Sequence, residues 1–120
     1  MSTVLLVEDS ATDAEIISTY LKQAYVGVVT ASSSEEAQAK LIARRPDLVL
    51  LDVILPGQSG FEWCQELKSN PETKDIPVVL CSTKGTEADK IWGSMLGADA
   101  YLAKPVDSRE LVSTIKRLLM

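Results

Sequence analysis

Six residues of this chain could do chemistry at the places where its apolar runs stop: Glu8, Asp9, Asp52, Ser82, Thr83 and Lys104. Asp52 is the sharpest case, because the aliphatic run Leu48–Leu51 leads straight into its carboxylate. Three carboxylates brought together repel, so the set makes sense only with a cation to neutralise it. An all-oxygen ligand set favours magnesium or manganese (Mg2+ or Mn2+) over zinc. Magnesium takes one or two carboxylates, keeps several waters and shares a phosphate. Asp9 and Asp52 suit direct contacts, and Glu8 suits a hold on a coordinated water. Ser82 and Lys104 then supply a neutral and a cationic donor for two oxygens of a phosphoryl group. Asp52 becomes the nucleophile that accepts it as an acyl phosphate.

Each residue alone has a plainer use. An aspartate after a strand often caps a helix, and Lys104-Pro105 reads as an exposed turn. Asp9 could cap the first helix, although Thr12 and Asp13 are better placed to do so. The chemistry requires the residues to converge, so the elements that carry them decide the matter.

Those elements alternate five times. Strands read as TVLLVE (3–8), VGVVTA (26–31), DLVLLD (47–52), PVVLCS (77–82) and AYLAK (100–104). The first, third and fourth are nearly continuous aliphatic runs, as strands covered on both faces should be. Ile16, Ile17, Tyr20, Leu21 and Ala24 mark a first helical face. Phe61, Cys64 and Leu67 mark a third, and Leu111, Val112, Ile115, Leu118 and Leu119 a last. Ser33 with Glu36, Ser59 with Glu62 and Asp107 with Glu110 have capping-box spacing. Pro46, Pro71 and Gly97 mark stops. Five β-α units in this order imply an α/β fold with a doubly wound, five-stranded parallel sheet and five helices. Ligands of such sheets bind beyond the carboxyl ends of the strands, where the six residues lie.

The bulk numbers agree with one domain spanning 1–120. A net charge of −5 recommends neither nucleic acid nor a membrane surface as partner. Apolar runs are too short to span a bilayer, and Glu8 and Asp9 come too early for a signal peptide, which points to the cytoplasm. With no histidine, Ser-His-Asp and Cys-His triads are excluded. Cys64 and Cys81 read as buried reduced thiols.

The motifs LLVEDS, LVLLDVILPGQSGFE, IPVVLCST and GADAYLAKP together resemble the response-regulator receiver domain, the chemotaxis-protein-Y fold, over essentially all 120 residues. The resemblance implies strand order 2-1-3-4-5, phosphorylation at Asp52, and a metal held by Glu8, Asp9, Asp52 and the backbone carbonyl of Ile54. It makes Ser82 the switch hydroxyl, Lys104 the phosphate-binding lysine, Tyr101 the switch aromatic, and the Lys104-Pro105 bond cis. Thr83, beside the phosphate, replaces the family's usual alanine. Ile54 and Lys84 fill positions that modulate dephosphorylation, and an apolar Ile54 suggests a long-lived phosphoryl state. The stretch TKGTEADKIWGSMLGADAYLAKPVD is most similar to single-domain regulators of pilus-based twitching and phototaxis.

The family likeness implies a switch that catalyses only its own phosphorylation and dephosphorylation. With no histidine in the chain and no output domain expected after Met120, donor and target would both be other molecules, a sensor histidine kinase or a phosphorylated small molecule being the donor. A downstream motility or signalling protein would read helix four, strand five and helix five, with the chain a monomer or weak dimer. Trp92, next to Ile91 and near Met95, fits a partner contact or a core anchor, and its helical spacing favours the core. Trp63 and Tyr20 are similarly ambiguous. A phosphate sink and an unphosphorylated scaffold are the alternatives. A flavodoxin-type FMN binder would need a glycine- and hydroxyl-rich loop where EDSATD stands. A dehalogenase-type phosphatase would need an aspartate where Ile54 stands.

Overall fold

The computed structural model describes all residues, Met1–Met120. Strands β1 (Thr3–Val7), β2 (Gly27–Ala31), β3 (Leu48–Asp52), β4 (Val78–Ser82) and β5 (Ala100–Ala103) alternate with helices α1 (Ala11–Gln23), α2 (Ser34–Ala43), α3 (Gly60–Ser69), α4 (Glu87–Met95) and α5 (Ser108–Leu119). The strands pair in parallel in the order β2-β1-β3-β4-β5, the doubly wound arrangement expected from the sequence. Each strand is trimmed by a single end residue relative to the run expected for it. At two functional ends the ladder continues regardless: Glu8 N–H donates to the Ala31 carbonyl at 2.9 Å, and Lys104 N–H to the Ser82 carbonyl at 3.0 Å.

Every residue of β3 and β4 is buried, because helices cover both faces of the sheet. One face carries α2 and α3, with Ala37, Leu41, Trp63 and Leu67 packed on Leu5, Leu51 and Leu80. The other carries α1 and α5, with Ile17, Leu21, Leu111 and Ile115 packed on Leu6, Leu50 and Leu102. Cys64 belongs to the first cluster and Cys81 to the second, so the sheet separates two buried thiols. Burial pushes them up to about 11 and about 12 respectively, which keeps both protonated at neutral pH. No helix is long and apolar enough to cross a membrane.

Helix starts follow the sequence signals in part. Ser33, Ser59 and Asp107 cap α2, α3 and α5 by accepting from Glu36, Glu62 and Glu110 N–H. The reciprocal half of the box forms only at α4, where the Thr86 side chain accepts from Asp89 N–H and Asp89 accepts from Thr86 N–H. That pair escaped the sequence reading because aspartate replaces the usual glutamate. Ser10, rather than Asp9, Thr12 or Asp13, caps α1.

Two aromatic expectations resolve differently. Trp63 is a core residue, 1% exposed, with its indole N–H on Gln38 Oε1 at 2.8 Å. The core reading of Trp92 is wrong: it is 48% exposed, in a patch with Ile91 and Met95. Gly93 takes the inward position of α4 instead, so close to the sheet that an added Cβ would stand 2.9 Å from Leu80 Cδ1. One residue back is roughly 100° round the helix, which turns Trp92 outward.

Candidate functional site

The carboxyl edge of the sheet gathers the sequence-predicted residues. Carboxylate oxygens of Glu8, Asp9 and Asp52 all lie within 4.8 Å of one another. Glu8 and Asp52 are buried, 5% and 7% exposed, while Asp9 faces solvent. Adjacent parallel strands explain the convergence: β1 and β3 pair from Val4–Leu48 to Val7–Leu51, so the residues that come next emerge side by side.

Lys104 reaches into this cluster from β5. Its ammonium contacts Glu8, Asp52 Oδ2 at 3.0 Å and Asp13 Oδ2 at 3.1 Å, and its side chain is 9% exposed. Burial alone would lower the Lys104 pKa, but its bonds to Glu8, Asp52 and Asp13 more than offset that and hold it above the usual lysine range. Glu8 moves the other way for a carboxylate. Burial raises its pKa, Lys104 and the Ser10 N–H pull it back, and the Asp52 charge adds to the rise. One lysine therefore faces more negative charge than it can balance. Oxygen-only donors in excess of their counter-charge fit a hard divalent cation.

The other residues frame this pocket. Ser82 is fully buried, and its Oγ accepts from Lys84 N–H at 3.1 Å. Thr83 and Lys84 are exposed. Tyr101 packs partly against the first core cluster, and its hydroxyl donates to the Lys84 carbonyl. Ile54 follows Asp52 closely enough for its N–H to donate to Asp52 Oδ1 at 3.2 Å, and its side chain is 52% exposed. The loop beyond it is tied to α2: Ser34 donates to the Gln58 carbonyl at 3.1 Å, and Gln58 N–H donates to Glu35 at 3.2 Å. The Lys104-Pro105 bond is cis.

Asp13 is the site residue that sequence reasoning missed, having been weighed only as a cap. A capping serine at position 10 makes position 13 the third helical residue, and that phase swings its carboxylate over the strand ends. The signal was present in Ser10 itself.

Residues 4–116 match the model of the response regulator receiver domain. The chain belongs to that family. A relative, the protein PilH of Pseudomonas aeruginosa, is 37% identical over 99% of the chain and 98% of PilH. The phosphate regulon transcriptional regulatory protein PhoB of the same organism is 42% identical over 98% of the chain but only 51% of its own length. The chain thus spans about half the length of the PhoB relatives it matches and nearly all of PilH. Among solved structures, chemotaxis protein CheY4 of Vibrio cholerae superposes with a TM-score of 0.90 at 31% identity, covering 98% of each chain. The five-stranded receiver is therefore a CheY-like flavodoxin fold. Receiver domains are signalling switches of two-component systems rather than enzymes that turn over a substrate. They bind magnesium at an acidic pocket and answer to a histidine kinase and a downstream partner.

Proposed function

We propose that this receiver is a magnesium-dependent phosphoryl switch with Asp52 as its acceptor. One observation carries the reading: a buried carboxylate at the end of the central strand lies within 4.8 Å of two others and 3.0 Å from a lysine ammonium. An Asp52 oxygen attacks the phosphorus of a phosphohistidine or acetyl phosphate. The new O–P bond forms as the bond to imidazole nitrogen or acetate oxygen breaks, and the electron pair leaves with that group. Glu8, Asp9, Asp52 and the Ile54 carbonyl would hold magnesium or manganese, which offsets charge on the phosphoryl oxygens. Lys104 and Ser82, with Thr83 beside them, bind those oxygens. Ser82, whose Oγ accepts from Lys84 N–H, has its hydroxyl proton to donate to phosphate, and Tyr101 follows into the space that its turn vacates.

The energies are of the order a switch requires, reaching a near-complete one only at the upper end. Hydrogen bonds to charged groups contribute roughly 1.5–3 kcal/mol each, so the two from Ser82 and Lys104 supply at most about 3–6 kcal/mol, less what Lys104 gives up among its present acceptors. A shift from 1:99 to 99:1 needs about 5.5 kcal/mol. Ile54, apolar at the mouth of the site, would slow the attacking water, with Lys84 as the second position that tunes the lifetime.

Residues 1–120 act in this reading as one cytoplasmic receiver unit, with Tyr101 and the exposed Trp92 on the surface a partner reads. The likeness of residues 83–107 to single-domain regulators of twitching and phototaxis, together with near-complete coverage of PilH in both directions, supports a motility output. The greater identity to PhoB supports a second reading, the receiver portion of a longer regulator.

Intact mass after incubation with acetyl phosphate and magnesium tests the switch. One added phosphoryl group is expected, dependent on metal and absent in Asp52→Ala. No added mass, together with no tryptophan response to beryllofluoride, would leave a scaffold.

A further inference from the structure

Lysine has three ammonium protons, and at Lys104 all three are committed, one each to Glu8, Asp52 and Asp13. A phosphoryl group on Asp52 brings oxygens that want the same donor. Lys104 can serve them only by giving up an acceptor it already has. The three acceptors differ in what release costs them. Asp52 itself, once it carries the phosphoryl group, keeps only an uncharged carbonyl oxygen and frees one proton for that group. The comparison for any second proton is therefore between Glu8 and Asp13. The Glu8 side chain is 2% exposed and would be left charged without water. The Asp13 side chain is 44% exposed, and water can take over its hydrogen bonds. Asp13 is therefore the acceptor that yields.

We propose that Asp13 is a resting-state latch on Lys104, which phosphorylation of Asp52 must open. The inference rests on the phosphoryl-switch reading above. Asp13 positions the lysine rather than taking part in transfer, and it does so in competition with the phosphate. Its carboxylate also adds negative charge near the incoming phosphoryl oxygens, which acts in the same direction. Once released, Asp13 stands at the rim of a cavity of about 370 Å³, walled by Ile16, Ile17 and Tyr20 of α1 and by Val106. The latch thus ties the phosphorylation state to the first turn of α1, on the opposite side of the sheet from α4.

The competition fixes a sign that an ordinary supporting residue would not show. Neutralising a residue that merely helps to hold Lys104 in place weakens binding of a phosphoryl group; neutralising a competitor strengthens it. Beryllofluoride affinity is the readout, measured by tryptophan fluorescence at saturating magnesium. Asp13→Asn should bind roughly three- to tenfold tighter than wild type. Asp13→Ala should do at least as well, since it leaves no oxygen to hold the lysine. Glu15→Gln, the same charge change on an exposed position of the same helix, should leave the affinity within about twofold of wild type. A urea titration of each variant checks that the fold is intact.

Unchanged or weaker binding in both Asp13 variants, with wild type binding normally, would overturn the latch and leave the switch standing. Equal gains in Asp13→Asn and Glu15→Gln would overturn it too, because the effect would then be one of net charge. If neither wild type nor any variant binds beryllofluoride or gains mass from acetyl phosphate, the switch reading itself fails, and the latch with it.

Discussion

The Lys104 end of the sheet and helix α4 are built in opposite ways. Around Lys104 the side chains of Glu8, Asp52 and Lys104 itself are each less than 10% exposed, and every ammonium proton has an acceptor. Helix α4 buries only Gly93, while Ile91, Trp92 and Met95 stand 60%, 48% and 72% exposed. Its neighbour α5, by contrast, buries Leu111, Thr114 and Ile115. Charged chemistry needs fixed distances, so its residues are mounted on strand ends and wedged by ion pairs. An element that must shift between two arrangements cannot be seated by large interlocking side chains, since tight packing resists small displacements. Gly93 against Leu80 and Tyr101 seats α4 without any large buried side chain of its own, which suits the shift proposed for it.

The largest test of this contrast removes the wedge. Lys104→Met leaves Glu8 and Asp52 as uncompensated buried charges, which should cost about 3 kcal/mol in metal-free buffer. Magnesium should recover more stability in the variant than it adds to wild type, because in wild type the metal competes with Lys104 for the same carboxylates. Urea unfolding with and without magnesium measures both. A variant as stable as wild type without metal would mean that the acids are not held by this lysine.

The second test probes the joint between the two regions. Burial, with the Asp89 charge adding to it, pushes the Tyr101 hydroxyl up to about 12 from an ordinary 10. The phenol is neutral in both folded and unfolded chains below pH 10. Above that the unfolded chain loses its proton first, so the contribution of Tyr101 to stability is full below pH 10 and falls away as pH rises through 12. Absorbance titration near 295 nm should show one of the three tyrosines ionising well after the others, and Tyr101→Phe should remove that late step. Ionisation of all three together near pH 10 would show Tyr101 to be freely hydrated and α4 less closely seated than Gly93 implies.

How far the sequence foretold this contrast depends on the element. Continuous aliphatic runs announced β1, β3 and β4, because a strand covered on both faces admits nothing else. Their terminal residues announced the acid cluster, since parallel neighbours must end side by side. Asp13 and Trp92 were misjudged for a shared reason. Both sit on helices, where the face a residue presents depends on helical phase, and phase is set by a cap or a single inward residue. Ser10 sets it for α1 and Gly93 for α4. Glycine at the most buried point of a helix breaks the rule that large apolar residues point inward, so Trp92 reads as core when it is surface.

The smallest stability effect belongs to Trp92, and it separates the regions most directly. Trp92→Ala removes a side chain that is half exposed and seats nothing beneath it, so the urea midpoint should correspond to a loss below about 1 kcal/mol. Fluorescence should change far more. The chain has two tryptophans, and Trp63 is 1% exposed with its indole bonded to Gln38. Iodide, which cannot enter a packed core, should quench wild type through Trp92 alone, and quenching should vanish in the variant. A stability loss of several kcal/mol would make α4 a conventionally packed helix. Quenching that survives the substitution would place solvent at Trp63, opening the very face on which α4 rests. Either result would end the distinction between a wedged site and a helix seated on glycine alone. A stable, unquenched variant would leave Ile91, Trp92 and Met95 as apolar surface retained for something other than the fold.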